Sequence, residues 1–164
     1  MTLVIELYSR WEFAGILDIE AFALLNIERT QRGKSVNIAL LEDNPPILDY
    51  MSTALEMLGH TVYNFTSSAP LLETLFIGES VRVPLPYDLA LIDLLLPGSI
   101  SGLETAQKIR QAIPPQQLHI IVVSACSQKE LEETQAALPQ VPILRKPFKM
   151  YELMQLIDQM QPAG

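Results

Sequence analysis

The chain has 164 residues, of which 49% are hydrophobic and 18% are charged, and its formal net charge is −8. That much apolar material can fill the core of one domain of ordinary size, and it excludes a largely disordered chain. The excess of acidic residues argues against DNA binding, which needs clustered lysine and arginine to neutralise phosphates. The single cysteine, Cys126, cannot form an internal disulfide, which fits a reducing compartment.

No part of the sequence has the pattern of a targeting or membrane-spanning segment. The amino terminus lacks the basic stretch and the long apolar run of a signal peptide. No stretch approaches the roughly 18 apolar residues that a membrane span needs. The sequence therefore predicts a cytoplasmic protein that does not insert into membranes.

Residues 1–35 are interpreted as an amino-terminal extension of the main domain, residues 36–164. Thr2 to Leu7 could form a short strand or an extended arm, and Asp18 could cap a helix over residues 19–31. Many large apolar side chains in this extension favour packing on the main domain or pairing with a second copy, hence a possible homodimer. The alternatives are a leader without a structural role and a start codon assigned too far upstream.

From residue 36 onward, apolar runs alternate with stretches of helical periodicity. Five of these runs are rich in branched or aromatic residues and predict strands. They cover residues 36–41, 61–65, 88–93, 118–123 and 142–145. This alternation predicts an α/β fold with a doubly wound parallel sheet. Residues 78–87, with two prolines and a glycine, predict a long surface loop, and Phe76 is placed in the helix before it.

The segment Ala90 to Gly98 contains a charge within an otherwise apolar run. The charged residue that interrupts the run is Asp93. Burying a lone carboxylate is very unfavourable unless a partner group compensates its charge. Pro97 and Gly98 end the segment soon afterwards. Asp93 is therefore expected where the strand emerges at the carboxyl edge of the sheet, which is where open α/β folds bind ligands. The alternative is an aspartate that only caps a turn.

Polar side chains also follow three other predicted strands: Glu42 and Asp43 after the first, Ser124 after the fourth and Lys146 after the fifth. The carboxyl ends of parallel strands meet at one edge, so these side chains are expected close to Asp93. Three neighbouring carboxylates raise one another's pKa unless a cation joins them, and Mg²⁺ is a cation that prefers such oxygen ligands. A lysine and a serine opposite the metal would complete a pocket for a phosphoryl group, with a carboxylate as its acceptor. The alternatives are solvated loop acids, a strand-end hydroxyl and a surface lysine.

These motifs together resemble the signature of response-regulator receiver domains. The matching motifs are Glu42-Asp43, Asp93-x-x-Leu96-Pro97, Ser124-Ala125 and Lys146-Pro147-Phe148. The resemblance covers about residues 36–160. It implies a flavodoxin-like sheet of five parallel strands in the order 2-1-3-4-5.

The resemblance implies Mg²⁺ as the cofactor. Asp43 would be a direct ligand together with the phosphoacceptor Asp93, and Glu42 would act through water. The backbone carbonyl of Leu95 would supply a further ligand. These four residues form the implied metal site.

The resemblance also implies how the phosphoryl group is held on Asp93. Ser124 and Lys146 would contact its oxygens, and the small Ala125 would leave access to it. One position departs from the family pattern, because Ile143 stands three residues before the lysine, where an aromatic residue is usual. The usual aromatic switch side chain is therefore absent.

The implied function is that of a stand-alone receiver in a two-component or phosphorelay pathway. A histidine kinase or phosphotransfer protein would phosphorylate it, and its output would be contact with a downstream protein target. It would not be an enzyme beyond self-phosphorylation and slow self-dephosphorylation. One alternative is a pseudo-receiver scaffold, which Ile143 favours and the complete acid set opposes. A phosphatase of the haloacid-dehalogenase type is less favoured, because Leu95 stands where its general-acid aspartate would be.

Overall fold

The computed structural model describes residues 35–160, which divide into two compact units, residues 35–146 and residues 147–160. The predictions for residues 1–34 lie outside the described residues, and the proposed boundary before residue 36 stays a prediction. The elements of the first unit are β1 (Asn37–Leu41), α1 (Pro45–Met57), β2 (Thr61–Phe65), α2 (Ser68–Leu75), β3 (Phe76–Ile77), β4 (Ser80–Val81), β5 (Leu89–Asp93), α3 (Gly102–Ala112), β6 (His119–Ser124), α4 (Gln128–Ala137) and β7 (Ile143–Arg145). The second unit holds α5 (Met150–Met160).

Five parallel strands form the main sheet in the order β2-β1-β5-β6-β7. Counted along the chain without the two short strands, this is the implied order 2-1-3-4-5, and the predicted fold class is confirmed. Leu41 lies opposite Ile92, and Ile92 lies opposite Val122. The central strands therefore end nearly level, and the residues that follow them share one edge of the sheet.

The core lies on both faces of the central strands, so these strands are apolar throughout and do not alternate. Every residue of β5 is buried. On one face, the apolar side chains of β1, β5 and β6 pack with those of α2 and α3. The strand residues of this face are Ala39, Leu41, Ala90, Ile92, Ile120 and Val122. The intervening residues on the other face are also buried, and each leucine or isoleucine fully removed from water contributes about 1.5–3 kcal/mol.

Helix α1 has clear start and stop signals. Asn44 is its N-cap, and Pro45 and Pro46 occupy the first turn, where a missing N–H costs nothing. After the helix, Gly59 adopts a φ of +88°. The amides of Gly59 and His60 donate to carbonyls of the last turn at 2.9 and 3.1 Å, which forms a Schellman motif.

Helices α3 and α4 both begin with a capping box. The side chain of Ser101 accepts from the Glu104 amide, and the carboxylate of Glu104 accepts from Ser101 in return. Ser127 and Glu130 form the same reciprocal pair at α4. Both boxes give hydrogen-bond partners to backbone amides of the first helical turn that would otherwise lack them. They also fix the residue at which the loop after β5 ends and α3 begins, and the residue at which the loop after β6 ends and α4 begins.

The expectation of a plain surface loop over residues 78–87 is wrong in its first part. Phe76–Ile77 and Ser80–Val81 form a two-stranded antiparallel hairpin, so Phe76 belongs to a strand and α2 ends at Leu75. Gly78 in the turn has a φ of +63°, which glycine tolerates and hairpin turns require. Strands of two residues are too short to show periodicity, which is why the sequence pattern did not indicate them.

Strand β2 lies at one edge of the sheet. It pairs with β1 on one side, and no described strand pairs with its other side. Its sequence, TVYNF, carries no charge, and it pairs with β1 residue for residue without a bulge. Tyr63 is 43% exposed, and its ring also contacts that of Tyr87 in a tilted arrangement, with centroids 5.2 Å apart and an angle of 56° between the ring planes.

In the second unit, α5 buries Met150, Leu153, Met154 and Ile157. These positions recur at the helical spacing that the sequence predicts for this segment. Within residues 35–160, no helix is both long enough and apolar enough to cross a bilayer.

Candidate functional site

Three acidic side chains meet at the carboxyl edge of the sheet. Asp93 is the last residue of β5, and Glu42 and Asp43 directly follow the adjacent β1. One carboxylate oxygen from each residue lies within 4.8 Å of those of the other two. Glu42 and Asp93 are only 2% and 6% exposed, whereas Asp43 is half-buried. The structure thus places these three sequence-predicted residues in one cluster.

Lys146 connects two of these acids. Its Nζ atom lies 2.6 Å from Oε2 of Glu42 and 2.7 Å from Oδ2 of Asp93. Its backbone amide donates to the Ser124 carbonyl at 2.8 Å, which continues the pairing of β7 with β6 and fixes the start of the side chain. Because both carboxylates are buried, each needs a charge partner, and the lysine supplies it.

Burial and pairing act in opposite directions on the titration of this group. Burial raises the pKa of Glu42, and the hydrogen bond and charge of Lys146 offset only part of that rise. Burial lowers the pKa of Lys146, but the hydrogen bonds to Asp93 and Glu42 and the negative charges of these two acids together outweigh this effect, so the net shift of the pKa is upward. The lysine is therefore a protonated cation at neutral pH.

Both carboxylate oxygens of Asp93 are held. Oδ1 accepts the amide N–H of Leu95 at 3.0 Å, while Oδ2 accepts from Lys146. The Leu95 contact turns the chain immediately after the strand, as an aspartate bonding two residues ahead does in many turns. It also brings the backbone of Leu95, the fourth member of the implied metal site, next to the acids. The Leu95 side chain is 52% exposed.

Ser124 ends β6 and is fully buried at the same edge of the sheet. It lies one position beyond Val123, the register partner of Asp93. Its hydroxyl oxygen accepts the amide of Cys126 at 3.2 Å, and the intervening Ala125 is exposed. The predicted serine is therefore beside the acid cluster, with its oxygen fixed by the turn that follows it.

Gly102 is a structural requirement of the site that the sequence analysis did not single out. A Cβ atom built on it would lie 1.8 Å from the carbonyl oxygen of Asp93 and 2.7 Å from the carbonyl carbon. Only glycine therefore allows the first residue of α3 to lie against the backbone of Asp93. A glycine opening a helix is a weak signal on its own, because the contact that requires it is nine positions away.

The donor set fits a hard divalent cation. Carboxylate and carbonyl oxygens suit Mg²⁺, and the cluster holds no nitrogen or sulfur ligand that would favour a softer metal. The charge of three acids exceeds that of the single lysine, which leaves negative charge for a cation to neutralise. A carboxylate facing such a cation and a lysine is suited to accept a phosphoryl group.

A sequence model of the response regulator receiver domain matches residues 38–158. The match spans most of the chain and includes every residue of the site. This chain belongs to the response regulator receiver domain family.

Solved receiver structures resemble it across the same region. TrrA from Thermotoga maritima, solved in complex with Mg²⁺ and BeF, is 25% identical, with 76% of this chain and 98% of that chain covered and a TM-score of 0.61. The receiver domain of the sensor histidine kinase PA1611 from Pseudomonas aeruginosa was solved with a magnesium ion in its active site cleft. It is 26% identical, with 77% and 98% covered and a TM-score of 0.62. A CheY-like receiver from Methanospirillum hungatei (22% identical, 77% and 93% covered, TM-score 0.63) shows the same fold.

Proposed function

We propose that this chain is a phosphorylation-controlled switch, in which Asp93 accepts a phosphoryl group in the presence of Mg²⁺. The observation that carries the proposal is the placement of the Asp93 carboxylate. It lies at a strand end beside two further acids, and one of its oxygens is 2.7 Å from a lysine ammonium. No other group of acids in residues 35–160 includes a strand-end aspartate in contact with a largely enclosed lysine, whose side chain is 14% exposed.

Mg²⁺ would be held by Asp43 and Asp93 directly, by the Leu95 carbonyl, and by Glu42 through water. Support comes from the acid cluster and from TrrA and the PA1611 receiver, both solved with magnesium. When bound, the ion supplies positive charge that offsets the acids and the incoming phosphoryl oxygens.

The protein's own groups would position and stabilise the phosphoryl group. An oxygen of Asp93 forms the new bond to phosphorus while the bond from phosphorus to the donor breaks, and the donor leaves with that electron pair. Lys146 is already within hydrogen-bonding distance of Asp93, so it is placed to neutralise a phosphoryl oxygen. Ser124 would donate its hydroxyl proton to another oxygen.

The chain would act as a signalling protein, not as a multiple-turnover enzyme. A histidine kinase or a phosphotransfer protein would be the donor, and a downstream protein would read the phosphorylated state. Leu95, with an apolar side chain, occupies the position where a phosphatase of the haloacid-dehalogenase type would need its general-acid aspartate. The cytoplasmic location stays a prediction from the sequence patterns described above.

Incubation with acetyl phosphate and Mg²⁺, followed by intact-mass measurement, tests the proposal. The wild type should gain one phosphoryl group and Asp93→Asn should gain none. Asp88→Asn is the matched control, since Asp88 lies just before the opposite end of β5 and its carboxylate accepts the backbone amide of Asn37 at 2.8 Å. Equal labelling of wild type and Asp93→Asn would rule out Asp93 as the acceptor.

A second candidate is a pseudo-receiver that binds its partner without phosphorylation. The half-buried Ile143, which packs against the core and lacks an aromatic ring, favours it. The same experiment separates the two functions, because a pseudo-receiver gains no phosphoryl group under conditions in which it remains folded.

A further inference from the structure

Two buried hydroxyl groups outside the receiver motifs meet near the candidate site. Ser68 begins α2 and Thr105 lies in the first turn of α3, and they are 4% and 0% exposed. Oγ1 of Thr105 lies 2.6 Å from Oγ of Ser68. Because a buried hydroxyl must find partners, two of them at this distance are bonded to each other.

The pair also holds the loop between β5 and α3, residues 94–101. Oγ of Ser68 donates its one proton to the carbonyl of Ile100 at 3.1 Å, so the bond between the two hydroxyls uses the proton of Thr105. The carbonyl of Ser101, 2.8 Å from Oγ1 of Thr105, shares that proton and also accepts the Thr105 amide at 2.9 Å. The last two residues of the loop are thus tied to α2 and α3. We call this arrangement of Ser68, Thr105 and the two carbonyls the hydroxyl latch.

The other end of the same loop is part of the candidate site. The amide of Leu95 donates to Oδ1 of Asp93, and Gly102, directly after the loop, lies against the Asp93 carbonyl. The loop is therefore fixed at one end by the acid that would bind metal and at the other end by the latch. A shift of Ile100 and Ser101 would move the backbone of Leu95 relative to Asp93.

We propose that Ser68 and Thr105 are positioning residues for the metal site: the hydroxyl latch holds residues 94–101 so that the Leu95 carbonyl and the Asp93 carboxylate face a common point. The inference rests on the proposed function for the identity of the metal. Neither hydroxyl contacts the metal or the phosphoryl group. Their effect is transmitted through the loop.

Thr105→Val tests the latch, because it removes the hydroxyl while keeping the shape of the side chain. Mg²⁺ affinity, measured by calorimetry, should fall about tenfold, as it does when groups supporting metal ligands are removed. In metal-free protein, hydrogen exchange at the Leu95 amide should become faster. Thr105→Ser, which keeps the hydroxyl, should restore both values.

Thr74→Val is the matched control in α2. Its hydroxyl donates to the Leu71 carbonyl at 2.7 Å, so the substitution removes a similar helical hydroxyl bond without touching the loop. It should leave Mg²⁺ affinity and Leu95 exchange unchanged. Ser68→Ala removes the other hydroxyl of the latch and should have the same effects as Thr105→Val. If Thr105→Val does not fold, Ser68→Ala takes its place in the test.

Wild-type Mg²⁺ affinity and wild-type Leu95 exchange in both Thr105→Val and Ser68→Ala would overturn the inference. These readouts do not need phosphorylation. A wild type that takes up no phosphate would therefore refute the proposed function alone, while the exchange measurement would still decide on the latch. Normal phosphorylation with no effect of the latch variants would refute the latch alone.

Discussion

Asp93 is held at three of its oxygen atoms, the two of its carboxylate and the one of its carbonyl. Its two carboxylate oxygens are fixed by Leu95 and Lys146, and its carbonyl lies against Gly102. The carboxylate is thus oriented before any ligand arrives. Such preorganisation lowers the cost of reaching the geometry that a reaction needs.

The neighbouring acids should differ in their effect on metal affinity. Both oxygens of Glu42 are engaged, one by the Asn44 amide at 3.1 Å and the other by Lys146 at 2.6 Å. The family resemblance assigns Asp43 direct contact with the ion and Glu42 contact through water, so we expect Asp43→Ala to lose most of the Mg²⁺ affinity and Glu42→Ala to lose less. Titration with Mg²⁺ followed by NMR ranks the two variants. A larger loss in Glu42→Ala would contradict this division of roles.

Gly102→Ala should damage both the fold and the site. The added methyl group would lie 1.8 Å from the Asp93 carbonyl oxygen, so the backbone of α3 or β5 must shift. We expect a loss of about 3 kcal/mol in the free energy of unfolding, together with slower phosphorylation. Denaturant unfolding and the acetyl phosphate assay measure the two effects. Gln111→Ala, at an exposed position of the same helix, should change stability by less than about 0.5 kcal/mol.

The capping boxes of α3 and α4 give these helices a dependence on pH. Hydrogen bonds from the amide and hydroxyl of Ser101 lower the pKa of Glu104 below its ordinary value of 4.5, and the hydroxyl and amide of Ser127 lower that of Glu130. A group with a lowered folded-state pKa stabilises fully above its unfolded value. That contribution is lost as the pH falls through the folded-state pKa.

The double variant Glu104→Gln and Glu130→Gln should therefore be less stable than the wild type at about pH 6, and the gap should close towards about pH 3. Urea unfolding at both pH values measures this gap. Glu73→Gln, at an exposed position of α2 outside both capping boxes, serves as the control. Its free energy of unfolding should differ little from that of the wild type at both pH values. A gap of the double variant that is constant across this range would show that the charged caps contribute nothing.

The secondary structure elements also show what the sequence could predict. The sequence predicts each end of the five strands of the sheet to within one residue, because buried strands leave long apolar runs. The hairpin of Phe76–Ile77 and Ser80–Val81 was missed, because two residues carry no period. The acids and the lysine were placed near one another because parallel strands share an edge. The contacts of Gly102 and of Ser68 with Thr105 depend on residues far apart in the chain, so no local pattern indicates them.

On the scale of the whole domain, Lys146 joins β1, β5 and the end of β7 through buried charges. In Lys146→Met, two buried carboxylates would lose their shared cation, and we expect the free energy of unfolding to fall by about 3 kcal/mol without Mg²⁺. Added Mg²⁺ should recover part of this loss, because it replaces the missing positive charge and binds the folded state.

Thermal unfolding with and without Mg²⁺ measures both effects. Lys129→Met is the matched control, because its ion pair with Glu133 is exposed and 3.7 Å long, and such pairs contribute little. It should unfold like the wild type in both conditions. If Lys146→Met did the same, the buried ion pairs would not stabilise the domain.

Within residues 35–160, β2 has an unpaired edge, and this edge bears on the behaviour of the protein in concentrated solution. An uncharged, regular edge strand is a template for pairing with another chain, and charged side chains are the usual protection. Here that protection comes from the molecule's net charge of −8, which makes copies repel one another over a distance set by the salt. At about 1 M salt the screening length shrinks to about 3 Å, shorter than the spacing between paired strands. Colloidal stability should therefore fall as ionic strength rises, which light scattering across a salt series would record as growing particle size.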